Sequence, residues 1–188
     1  MIIKMKPKKI TKNISWKIRT SIDNLKPKTS DEVLKKIARL ILKEVRTDHL
    51  PLSKKCELGI SITDDRSIKS LNKHYRGKNK PTDVLSFSMI EDNHGLIASP
   101  TLGDVVISLP TAIKQAKEYD VNLYQEILRL LIHGILHLLG FDHENVSKKE
   151  ADRMRATEDR IYEKLLLKSK KIISEPKKQK SKTKRAGN

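Results

Sequence analysis

Cysteine is almost absent from this chain. A single one, Cys56, stands among 188 residues. That excludes an internal disulfide and points to a reducing compartment. Aromatic residues are also scarce, at 4% of the chain. With two Phe, four Tyr and one Trp, several of them needed in a core, there is no stacking platform of the kind an RNA-recognition motif carries. No apolar run is long enough to cross a bilayer. The most apolar stretch, 127–141, is short and is interrupted by Arg129, His133 and His137. Residues 1–20 lack the apolar segment of a signal peptide. These absences predict a cytoplasmic protein with no membrane partner.

Acidic residues are nearly missing where the charge is concentrated, Glu175 being the one exception. The net charge is +17, of which residues 1–20 carry +7 and residues 169–188 another +7. The 148 residues between them carry only +3. The ends are polycations around a nearly balanced centre. Such ends contact phosphates without reading sequence, or serve as solvated tails that keep a protein soluble. The expected organisation is a flexible basic extension over 1–11, one domain over 12–168 and a disordered lysine-rich tail over 169–188.

Periodicity gives the element order. NISWKI (13–18) alternates as a short strand. Ser30 is placed to cap a helix whose Val33, Ile37, Leu40, Ile41 and Val45 fall at helical spacing. ELGISIT (57–63) alternates again, and Asp64 and Asp65 open a short helix with Ile68 and Leu71 inward. Strands are predicted at 84–90 and 102–109, with 91–101 as a loop. Pro110 suits the first turn of a third helix, and Asn122 is placed to cap a fourth. A last helix over 147–167 shows Ala151, Met154, Ile161 and Leu165 as its apolar stripe. The fold class is therefore α+β (mixed α/β): a single domain with a small mixed sheet of about four strands, its late helices covering one side.

The fourth helix ends in LLIHGILHLLGFDHE, which holds His133, His137 and His143 within eleven residues. Histidines four apart project from one helix face, one turn from each other. Gly140 follows where a helix would stop, so the chain can turn and return His143 to the first two. Three imidazoles with one position open describe a catalytic zinc site better than a closed structural one. Zinc suits three imidazoles best; nickel, copper and iron are compatible with the same ligands. The pattern H-G-x-x-H-x-x-G-x-x-H matches the ligand spacing of metzincin proteases, with Gly134 in place of their catalytic glutamate. That substitution turns the site away from peptide hydrolysis and leaves room for a bulky, charged substrate. Glu126, two turns before His133, reads as a partly exposed helix carboxylate or as a partner for a ligand imidazole. Asp142 has the same two readings, and Asp104 either braces its loop or neighbours the site.

A second cluster runs from His74 to Asp83 and packs Arg76, Lys78 and Lys80 among turn residues. It is either a solvated turn or a phosphate contact. Arg76 is the residue there able to hold a phosphate with a two-pronged hydrogen bond.

Three blocks carry a resemblance: RGKNKPTDVLSF from Arg76, LGDVVI from Leu102, and HGILHLLGFDH from His133 to His143. In order and spacing they resemble the YbeY family of bacterial endoribonucleases, across about residues 12–168. Asn79, where aspartate is common, and Ser88, where proline usually follows Ser-Phe, depart from the pattern without touching a ligand. The resemblance implies one zinc ion held by His133, His137 and His143, with Arg76 and His133 as the catalytic residues. It also implies cleavage of single-stranded RNA in late 16S rRNA 3′-end maturation and ribosome quality control. The implied partners are ribosomal RNA and the small ribosomal subunit, not DNA. On the residues alone two rivals stay open: a non-catalytic ribosome-assembly or RNA-binding protein with a structural metal, and a metalloprotease-like hydrolase.

Overall fold

A computed structural model describes residues 14–23, 31–45, 52–90, 99–143 and 146–174. The elements in chain order are β1 (Ser15–Ile22), α1 (Asp31–Glu44), β2 (Leu52–Thr63), α2 (Asp65–Arg76), β3 (Val84–Ser88), β4 (Ser99–Ser108), α3 (Leu109–Glu118), α4 (Leu123–Leu138) and α5 (Lys148–Ser174). This is the predicted order, in one α+β domain. The sheet order is β1-β2-β4-β3. β1, β2 and β4 run parallel, and β3 pairs antiparallel to β4. Parallel neighbours need crossovers, and α1 provides the one from β1 to β2.

Alternation along β4 separates two layers. Val105 and Ile107 join the main core, with Leu58, Ile60 and Ile62 of β2 and the apolar faces of α1, α4 and α5. Val106 points the other way, into a smaller cluster with Ile68 of α2 and Leu85 of β3. The late helices thus cover one face, and α2 covers part of the other. α4 is the centre of the larger layer, with ten of its sixteen residues buried. Its remaining stripe, Arg129, His133 and His137, is half-buried and faces a cleft. Cys56 is buried in the main core, and burial pushes its thiol up to about 11.

Several helix ends follow the sequence signals. Asn122 caps α4 in a reciprocal capping box with Gln125. Asp64 caps α2 by accepting from Ser67 N at 2.7 Å. The proposed Ser30 cap lies outside the described residues, as do the 1–11 extension and the tail from 175 onward.

The strands differ in extent from their periodicity. β1 continues through polar residues 19–21 because it is an edge strand in register with β2, and Lys17 and Arg19 both pair with Glu57. β4 begins at Ser99, inside the stretch expected to be loop, because its first residues pair with β2. α5 runs past Leu167 to Ser174, so residues 169–174, expected to begin the disordered tail, are helical. Nothing in 168–174 breaks a helix, and the next proline is Pro176.

Candidate metal centre

The histidine cluster is built by the end of α4. Gly140 has φ +81°, the left-handed region that glycine occupies without a Cβ clash. Phe141 N–H donates to the Leu136 carbonyl and Gly140 N–H to the His137 carbonyl, both at 3.0 Å. That pair of bonds is a Schellman motif, which closes the helix and reverses the chain. His143 is thereby returned to His133 and His137, with ring centroids 5.0 and 5.1 Å away. Asp142 Oδ1 accepts from His143 N at 2.7 Å and lies 3.9 Å from His137 Nδ1, so it fixes the returning turn.

One ring nitrogen from each histidine lies within 4.8 Å of the other two, the one such group among the described residues. His133 Nε2 and His137 Nε2 are 3.1 Å apart. Two nitrogens held by one tetrahedral zinc are separated by about 3.4 Å, given zinc–nitrogen bonds of about 2.05 Å. On the far side of His133, Nδ1 lies 2.6 Å from Glu158 Oε1. An ionised carboxylate only accepts, so Nδ1 carries the proton and Nε2 turns its lone pair towards the other rings. Burial, then repulsion from His133 and His143, lowers the His137 pKa and favours the neutral ring that ligates. The donor set and its spacing fit a divalent cation.

Glu158 was not evident from spacing because it is fifteen residues beyond His143, on another helix. One signal pointed to it. It falls in line with Met154, Ile161 and Leu165, a carboxylate on a buried stripe. Glu126, by contrast, fits neither of its expected roles. It is 1% exposed, and it pairs with Arg129 rather than with an imidazole, at 2.5 Å from Nη2 and 3.1 Å from Nε. A carboxylate at that depth needs a charged partner, and Arg129 one turn on supplies it. This hydrogen bond raises the Arg129 pKa and keeps the guanidinium charged at the cleft.

Gly134 also acts differently from expectation. It makes no room for substrate. It is buried against the sheet, where a Cβ would lie 2.7 Å from Val105 Cγ1 and 3.1 Å from Ser86 Oγ. Ser86 Oγ donates to the Gly134 carbonyl at 3.1 Å. The glycine lets α4 approach β3 and β4 closely, which aims the histidine stripe into the cleft.

That cleft, about 1150 Å³ in volume, wraps the exposed edge of β3. The three histidines and Arg129 line one side, and Tyr75 and Arg76 from the end of α2 line the other. Lys78 and Lys80 are exposed but are not part of the lining. Their turn is ordered rather than loosely solvated: buried Asn72 donates from Nδ2 to the Lys80 carbonyl at 2.7 Å and accepts from Lys78 N at its own carbonyl. Asp104 also lines the cleft, packed over Gly59 of the neighbouring strand.

Residues 19–166 match the family model described as Endoribonuclease YbeY. The chain belongs to the YbeY family. An Endoribonuclease YbeY from Persephonella marina is 48% identical over 130 residues, covering 69% of this chain and 80% of that one. Its counterpart from Aquifex aeolicus is 42% identical over 149 residues, covering 79% and 93%. The solution structure of TM1509 from Thermotoga maritima superposes with a TM-score of 0.55 at 26% identity, covering 87% of this chain and 99% of that one. The YbeY match spans both walls of the cleft, α2 and α4.

Proposed function

We propose that this YbeY-family chain is a metal-dependent endoribonuclease that cuts single-stranded RNA at the β3-edge cleft. His133, His137 and His143 hold one zinc ion. Bound there, zinc supplies Lewis-acid charge to a phosphoryl oxygen and lowers the pKa of water. The chain supplies the rest. Glu158 fixes the tautomer and orientation of His133. Arg76 meets the scissile phosphate from the opposite wall and offsets the charge that builds as the phosphodiester reacts. Lys78 and Lys80, exposed beside it, attract the strand at longer range. The cellular substrate is the 3′ end of 16S rRNA on the small ribosomal subunit, in the cytoplasm, with a part in ribosome quality control.

One observation supports this reading above the others: the cleft that holds the three histidines also holds Arg76. A metalloprotease is disfavoured because the glutamate position is Gly134, packed against Val105. The test is cleavage of a labelled single-stranded RNA by wild type and Arg76→Ala. The expected loss is about 100-fold, typical of removing one donor to a developing negative charge. Equal rates would leave a non-catalytic RNA-binding protein with a structural ion as the better description.

A further inference from the structure

The cleft holds an aromatic ring that the chemistry above does not use. Tyr75 is 62% exposed and lines the cleft immediately before Arg76. It does not swing freely. Its ring makes edge contacts with Phe87, at a centroid distance of 4.8 Å, and with His74, at 4.6 Å. Phe87 is itself half-buried against the Ile68, Leu85 and Val106 cluster. The tyrosine is therefore backed by a second ring rooted in the core while most of its surface faces solvent. Isolated exposed apolar residues are ordinary on protein surfaces. Here, however, two of only seven Phe, Tyr and Trp residues are spent on one cleft wall. Met89, 52% exposed, also lines the cleft.

We propose that Tyr75, backed by Phe87, is the stacking face of a nucleobase subsite that takes one unpaired base of an RNA strand whose phosphate is held by Arg76. The inference rests on the endoribonuclease reading and gives that reading a physical basis for single-strand preference. Every base has a π-face, so stacking is indifferent to sequence. A paired base has both faces covered within its duplex, so the subsite rejects helices without reading letters. Because Tyr75 and Arg76 are consecutive at one helix end, a base and a neighbouring phosphate are gripped together. A single ring of this kind is not a sheet-borne platform, and composition alone does not reveal it.

The test uses the full-length, metal-loaded protein and a 2′-O-methyl oligonucleotide that cannot be cleaved through its 2′ oxygen, with 2-aminopurine scanned along it. Wild type should quench the probe at one position. Tyr75→Phe keeps the ring and should bind within about twofold. Tyr75→Leu should lose the quench and about tenfold in affinity. An oligonucleotide abasic at that position should bind wild type as weakly as Tyr75→Leu binds the intact strand, with no further loss when the two changes are combined. If Tyr75→Leu binds and quenches like wild type while wild type still cleaves unmodified RNA, the stacking subsite is wrong and the endoribonuclease reading stands. If wild type neither binds nor cleaves single-stranded RNA, both fall.

Discussion

At His133 the decisive neighbour is Glu158, 2.6 Å from Nδ1. Carboxylate partners of ligand imidazoles set both the tautomer and the basicity of the ring. Glu158→Gln should therefore weaken zinc affinity about 10- to 100-fold while the fold is kept; competition with a chromophoric chelator measures it, and unchanged affinity would remove Glu158 from the site. Gly134 gives a second residue-scale prediction. Val105 is β-branched, buried and stiff, so it cannot yield to a Cβ placed 2.7 Å away. Gly134→Ala should lower stability by about 1–3 kcal/mol in denaturant melts, as overpacked cores do. A neutral change would contradict this close packing of α4 on Val105. At this scale the sequence was partly legible. The three clustered histidines were visible from their spacing, and Arg76 as a phosphate contact in one of two readings of its turn. Glu126 and Glu158 were not, because spacing along one helix cannot say which carboxylate meets an arginine and which meets an imidazole across the core.

At the scale of elements, the site depends on how α4 ends. The Schellman closure at Leu136–Phe141 returns His143, and Gly140 at φ +81° makes it possible. Gly140→Ala places a Cβ in the left-handed region, at an expected cost of about 1–2 kcal/mol. Nothing lies within 4 Å of that Cβ, so the cost is conformational rather than steric. Melting experiments should show that loss, and zinc affinity should fall with it because His143 is the proposed ligand beyond the turn. A protein with unchanged melting and affinity would contradict the hinge role. The helix itself, its Asn122 cap and its glycine stop were readable because each is a local signal. The extra lengths of β1 and β4 were not: those residues are ordered by pairing with β2, and a partner strand leaves no mark in the periodicity of the strand it recruits.

For the whole molecule, the sheet edge matters most. β3 is the short outer strand of the order β1-β2-β4-β3, and the cleft folds round it. α2 approaches from one sheet face and α4 from the other, which is how Arg76 and His133, 57 residues apart, line one cavity. Separate motifs could be read in the chain, and the fold class with them. Their meeting at a strand edge is a property of topology. The core is built by α1, α4, α5 and the sheet, not by the histidines, so the fold should outlast removal of the ion. On the proposed function, this cleft cuts RNA only when the three histidines hold a metal. The direct measurement is single-stranded RNA cleavage during titration of metal-free protein with zinc, run beside His137→Ala, with circular dichroism on each sample. Metal-free protein should be folded but inactive, activity should rise to a plateau at one ion per chain, and the variant should not recover. Full cleavage by folded metal-free protein, or by His137→Ala, would contradict the proposed function.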